Sequence, residues 1–271
     1  MTTPQAQPFR PRKILARLLR AFGTQRWWPA RTPFEVCVGA VLTQNTAWKN
    51  VERAIAALRE ARALTPHGLR ALSRSALARR LRPAGYFNVK ERRLRAFVAF
   101  LTDEFGGAVA RMRQIETHAL RRRLLEVHGI GRETADSILG YAVGKPIFVV
   151  DAYTRRIFSR HGWIRDDEDY DTLRARVERA WAGLSAQRRV RDFNELHALL
   201  VAVGKDYCRP RAPRCAVCPL RAMLPSSGIL APTAARHERK AGVGRPQERT
   251  PSHSRSGRRL EGFLRHSERS L

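Results

Sequence analysis

One carboxylate is singled out by its placement. Asp151 closes the apolar run 146–150, and a lone acid beside an apolar wall is where a fixed charge or a group of altered basicity is put to use. It also stands just before a helical pattern beginning at Ala152, so an N-cap role is equally compatible. Upstream lies Gly129-Ile130-Gly131. Two glycines let the backbone bend without a Cβ in the way while Ile130 plugs inward. A helix that opens there presents unpaired N–H groups and the positive end of its dipole, a ready seat for a phosphate oxygen. Arg132 and Thr134 add donors at the same place. A second cluster is made of thiols: Cys208, Cys215 and Cys218 are spaced C-x6-C-x2-C. Such clustering suits a metal site in a reducing compartment better than disulfides, with zinc one thiolate short of its usual four ligands. Cys37, inside FEVCVGAVL, reads instead as a small buried hydrophobe. Trp27, Trp28 and Trp48 offer flat faces that hold planar or cationic rings; the same residues suit anchoring the N-terminal arm on the core.

The elements that must position these groups are helical. Apolar residues at i, i+3, i+4 and i+7 put Ala135, Ile138, Leu139 and Ala142 on one face after the Gly-x-Gly turn, with Leu120, Leu124, Leu125 and Val127 before it. The pair reads as a helix-hairpin-helix that grips a DNA backbone. Helices are expected over 13–22, 34–43, 51–64, 69–72, 75–81, 89–105, 117–127, 132–143, 152–161, 171–183 and 190–203. Strand signal is confined to 147–150, so the fold class is all-α. Residues 1–12 read as a loose arm. The segment 225–271, rich in Ser, Gly, Pro and Arg without helical period, reads as a disordered basic tail with a short helical pattern near 260–264. That tail either adds nonspecific attraction for DNA or is inert.

Net charge is +28, dominated by arginine. Such a field favours a polyanion, because cations that neutralise phosphates release counterions; an RNA-binding protein would share it. An apolar run of about 18 residues and a signal-peptide core are lacking, which points to a cytoplasmic, nucleoid-associated protein with no membrane partner.

Several separate motifs in one order resemble the endonuclease III superfamily of helix-hairpin-helix DNA glycosylases. They are FEVCVGAVLTQNTAWKNVERAI, LRPAGYFNVKERRL, VHGIGRETADSIL, VVDAYTRRIF and CRPRAPRCAVCPL, spread over roughly residues 20–224. Within that family the WWP and LTQNTAW segments are most similar to a branch that includes 3-methyladenine glycosylases. The resemblance implies a two-lobed all-α glycosylase with a C-terminal cysteine loop. Residues 1–33 form an arm and helix packing with the C-terminal lobe, 34–145 a helical barrel carrying the hairpin, and 146–224 the lobe with Asp151 and the cysteines. It implies that Asp151 is the catalytic aspartate. Gln44 fills the gap left by an extruded base and Tyr86 falls at a wedge position. Trp28 and Trp48 wall the base pocket, with Lys205 nearby. Glu133 stands where bifunctional members carry the Schiff-base lysine, and Lys145 is out of register, so a water-using, monofunctional enzyme is expected. The partner is double-stranded DNA containing damaged bases, bound by a monomer. Cys208, Cys215 and Cys218 match three of the four ligands of a 4Fe–4S cluster; Leu224 occupies the fourth position. A glycosylase/lyase using another amine, and a noncatalytic DNA-binding module, are the competing readings.

Overall fold

The computed structural model describes residues 8–25 and 28–230. Eleven α-helices lie among them: α1 (Pro11–Phe22), α2 (Pro33–Leu42), α3 (Trp48–Glu60), α4 (Pro66–Ala71), α5 (Arg74–Leu81), α6 (Phe87–Phe105), α7 (Thr117–Glu126), α8 (Arg132–Ser137), α9 (Ala152–Arg160), α10 (Tyr170–Arg179) and α11 (Ala186–Asp206). Their starts follow from local chemistry. Thr32, Thr65, Ser73, Asp169 and Ser185 each accept a backbone N–H of the first turn, satisfying donors that a helix leaves open. No strand occurs among the described residues, so the fold is all-α.

Two apolar cores organise the helices. In the first, Val38, Val41 and Leu42 of α2 meet Leu94 and Phe97 of α6 and the Ile138–Leu139 pair that follows α8. The second gathers Ile14 and Leu18 of α1, Ile157 and Phe158 of α9, and Trp181 with Phe193 and Leu196 of α11. Each fully buried Leu, Ile or Phe in these cores is worth about 1.5–3 kcal/mol. The chain passes from one core to the other between Ile147 and Phe148, and Asp151 follows at that crossing.

The strand signal at 147–150 resolves into an extended segment without a partner strand. Side chains take its backbone donors: Phe148 N–H to Glu178 Oε1 at 2.9 Å and Val150 N–H to Tyr170 Oη at 3.3 Å. Residues 8–12 are not part of a loose arm. Phe9 packs edge-on against Phe158 at 5.0 Å, and α1 already begins at Pro11. Helix α11 starts four residues before the apolar period becomes visible, because Ser185 accepts Arg188 N–H and sets the first turn. The expected arm before Phe9 from Met1 to Gln7, Trp27, and the tail beyond Leu230 lie outside the described residues.

Beneath the hairpin runs a buried ion network. Arg121 of α7 donates twice to Asp136 of α8, at 2.6 and 3.2 Å, and pairs with Asp171 of α10 at 2.7 Å. Arg174 joins Asp171 at 3.5 Å and Glu178 at 2.9 Å. The same Glu178 holds Phe148. One set of charges therefore links α7, α8 and α10 to the segment that carries Asp151.

A cleft between the hairpin and the tryptophans

The turn between α7 and α8 has the shape its sequence dictates. Gly129 takes φ +81°, Ile130 is buried at 4 % exposure, and Gly131 is exposed at the start of α8. A Cβ on Gly129 would fall 2.2 Å from Arg93 Cγ, so the position needs glycine for conformation and for space. Gln44, just after α2, is locked to this turn. Its Nε2 donates to Gly129 O at 3.0 Å and to Thr134 Oγ1 at 2.9 Å, and its Oε1 accepts from Arg93. Arg132 is half exposed and pairs with Asp171 at 3.1 Å.

Beyond the turn opens a cleft of about 750 Å³, within the ~300–1,000 Å³ of small-molecule sites. Among the predicted residues it is walled by Gln44, Trp28, Trp48, Gly129, Ile130, Gly131, Thr134, Asp151 and Lys205, and also by Glu133 and His197. Trp28 and Trp48 meet at right angles, 5.3 Å between centroids. Gly39 of α2 makes that possible: a Cβ there would lie 3.3 Å from Trp28 Nε1 and 3.4 Å from Trp48 Cη2. Tyr86 is not in the cleft. It caps α6 with φ +45° and stands out at 70 % exposure.

Asp151 is 8 % exposed and caps α9, its Oδ1 taking Thr154 N–H at 2.7 Å. Its Oδ2 lies 3.5 Å from His197 Nε2. That is ion-pair range, longer than a good hydrogen bond. Burial alone would raise the Asp151 carboxyl, yet His197 and the Thr154 amide outweigh it and hold it below the usual carboxylate value. His197 Nδ1 lies 2.6 Å from the Tyr141 hydroxyl, which also donates to the Asn194 carbonyl at 3.2 Å. Tyr141 reaches that place because α8 continues into a π-helical turn, Ile138–Val143. Asn194 Nδ2 takes the Gly140 carbonyl of that turn at 3.2 Å. Single π turns recur at functional sites for this reason: they re-aim one side chain.

Glu133 faces the same cleft and is open to it. Enclosure by the walls, together with the charge of Asp151 and against the pull of His197, pushes its carboxyl up to about 7. The two carboxyls are thus pushed in opposite directions, Asp151 down and Glu133 up. His197 and Tyr141 were not visible in the sequence, since neither sits in a ligand-like spacing; a His on the inner face of α11 reads as core. Lys145 lies outside the cleft, its Nζ on Arg113 O at 2.9 Å.

At the other end of α9, Cys208, Cys215, Cys218, Leu224 and His161 line one small cavity. The thiols are free, and Cys37 is fully buried in the first core. Arg160 holds the loop after Cys208 by its carbonyls, at 2.6 Å to Arg209 O and 2.8 Å to Pro210 O, with Cys208 Sγ at 3.4 Å. Among the described residues no three His, Cys, Asp or Glu side chains converge as a single metal ion requires. A four-iron cluster asks for something else, donors spread around its corners. Cys208, Cys215 and Cys218 offer three of those donors at one cavity, and Leu224 offers none. No helix among the described residues is long and apolar enough to cross a membrane.

Residues 38–183 match the model of the HhH-GPD superfamily of base excision DNA repair proteins. A Methanocaldococcus jannaschii protein whose name reads "Putative DNA repair glycosylase" is 41 % identical over 77 % of this chain and 93 % of its own length. Endonuclease III of Thermotoga maritima is 27 % identical over 70 % of this chain and 81 % of its own. A solved endonuclease III–DNA complex superposes with a TM-score of 0.64 at 25 % identity, over 83 % of this chain and 96 % of that one. The Helicobacter pylori 3-methyladenine DNA glycosylase bound to 1,N6-ethenoadenine gives 0.63 at 28 % identity, over 73 % and 98 %.

Proposed function

The chain belongs to the HhH-GPD superfamily of base excision DNA repair proteins, and from that membership and the cleft we propose that it is a monofunctional DNA glycosylase that hydrolyses the N-glycosidic bond of a damaged base, an alkylated purine such as 3-methyladenine ahead of an oxidised pyrimidine. The observation that carries this reading is Asp151, ionised and oriented, in the wall of a cleft shared with the hairpin turn and two tryptophans.

The steps follow from what each group can do. A base inside a duplex is out of reach, so it must be swung out. Backbone N–H groups at the start of α8 take the phosphate beside it, Gln44 fills the vacated stack, and the exposed Tyr86 wedges the helix open. Trp28 and Trp48, at 88° to one another, receive the base on one face and one edge. An alkylated purine carries positive charge, which aromatic faces favour. As the bond to the base breaks, the sugar becomes cationic. Asp151 stabilises that charge and orients the attacking water. Thr154 and His197 fix its carboxylate, and Tyr141 fixes His197. Glu133 cannot form an imine with the sugar, and the product is an abasic site. Among the described residues the lyase alternative has one lysine in the cleft wall to draw on, Lys205. When bound, a 4Fe–4S cluster held by Cys208, Cys215 and Cys218 supplies a rigid staple for the loop that meets DNA phosphates.

Asp151→Asn is the discriminating variant, because asparagine still caps α9 while the charge is gone. Base release is expected to fall by about 100-fold or more, with binding to abasic-site DNA retained. Undiminished release removes Asp151 from the chemistry. A wild type that binds duplex and releases nothing from any lesion would instead be a binding module.

A further inference from the structure

Trp48 is held at both ends of its indole. The six-membered ring lies against Gly39, where a Cβ would fall 3.4 Å from Cη2. At the other end Nε1 donates to Glu52 Oε1 at 2.8 Å, one turn further along α3. Trp48 meets Trp28 edge-on at 5.3 Å between centroids, and both rings line the cleft that Asp151 also lines. Building on the glycosylase reading above, we propose that Glu52 is a specificity-determining residue. Acting through Trp48, it makes the cleft prefer a positively charged base over a neutral base of the same shape.

The choice of partner supports this. The chain carries 52 Lys and Arg against 24 Asp and Glu, and other helical glutamates take a nearby arginine: Glu91 pairs with Arg95, and Glu178 with Arg174. Glu52 has Lys49 and Arg53 within one turn of it, yet among the described residues it pairs with neither and takes the indole instead. A charged acceptor makes a stronger hydrogen bond than a neutral one, and such bonds polarise the groups they join. A carboxylate on the indole N–H therefore makes the ring face richer in electrons. That density is what draws a cation to an aromatic face, and indole is the best of the side-chain rings for it. Glu52 stands at the surface, so it acts on the base through the ring and not by contact. Arg93 and Lys205 also line the cleft and repel a cation, which a carboxylate behind the aromatic wall offsets. A neutral base stacks on the same face without this gain.

The test measures the affinity of the full chain for two labelled duplexes by fluorescence anisotropy. One carries 2′-fluoroarabino-7-methylguanine, which is cationic and resists hydrolysis. The other carries 7-methyl-7-deazaguanine, which has the same outline without the charge. Wild type should bind the cationic duplex more tightly. Glu52→Gln keeps an acceptor for the indole and loses the charge, and it should shrink that preference by about fivefold. A wild type without the preference, or a preference unchanged in Glu52→Gln, overturns the assignment. Equal weakening of both duplexes overturns it too, because Glu52 would then only prop the ring. Base release by wild type from alkylated duplexes is followed in parallel. Release with an unchanged preference sinks Glu52 alone, whereas no release from any lesion sinks the glycosylase reading and this assignment together.

Discussion

The cleft and the cysteine cavity are held in place by different means. Asp151 is delivered from within: the extended segment before it hangs on Tyr170 and Glu178, and Glu178 belongs to the ion network that also ties α7, α8 and α10. The cysteine loop is held from outside by arginines reaching its carbonyls. Arg156 takes Gly204 O and Cys208 O, Arg160 takes Arg209 O and Pro210 O, and Arg17 takes Pro219 O. The first region is set by packed, ion-paired groups and is organised before any DNA arrives. In the second, the backbone is fastened while three thiols line a small cavity. Each region departs at one residue from the pattern its motifs resemble, with different consequences. Glu133 still leaves a complete acid–base wall, whereas Leu224 removes a ligand.

If the contrast is sound, the largest stability loss will come from the network. Asp136→Ala removes both carboxylate oxygens to which buried Arg121 donates and leaves it Asp171 alone; a loss of about 3 kcal/mol is expected, read as a fall in denaturation midpoint with collapse of base release. A loss under about 1 kcal/mol would mean the cleft is not held from within. Arg160→Ala comes next. Removing its charged donors from two loop carbonyls should cost about 2 kcal/mol and open residues 208–224 to protease, weakening DNA binding while single-turnover base release from saturated complex is kept. Equal loss of release and of loop order would show the two regions to be one unit. The smallest effect is expected at Glu133. Its folded carboxyl titrates at about 7 against 4.5 for the free side chain. Between those values the folded chain holds a proton that the unfolded chain has released, so stability falls as pH rises through that window and the full penalty stands above it. Glu133→Gln should therefore raise the melting temperature more near pH 8 than near pH 5. A gain that does not depend on pH would sever Glu133 from Asp151.

The hairpin and the helical class were legible because they rest on local signals, glycines at a bend and helical periodicity; the grouping of Gln44, Trp28 and Trp48 with Asp151 was implied by the resemblance to helix-hairpin-helix glycosylases alone. Other features were not. Arg121, Asp136 and Asp171 look like surface charges in a chain this basic, and only the packing of three helices makes them a buried network. His197 lies on an otherwise apolar helix face, and its link to Asp151 depends on a π turn that no periodicity announces. The 147–150 run has the composition of a strand but meets side chains instead of a second strand. Phe9 sits in a proline-containing stretch that reads as loose until Phe158 gives it a partner.

The central claim is hydrolysis at the sugar of an extruded nucleotide. Its most direct test is a single-turnover reaction of wild-type protein on duplexes carrying alkylated, oxidised or mismatched bases, with products read by mass and a parallel sample reduced with borohydride. The account predicts a free alkylated purine, an intact abasic strand and no protein–DNA adduct. An efficiently trapped adduct, or a strand cleaved in step with base release, would contradict it.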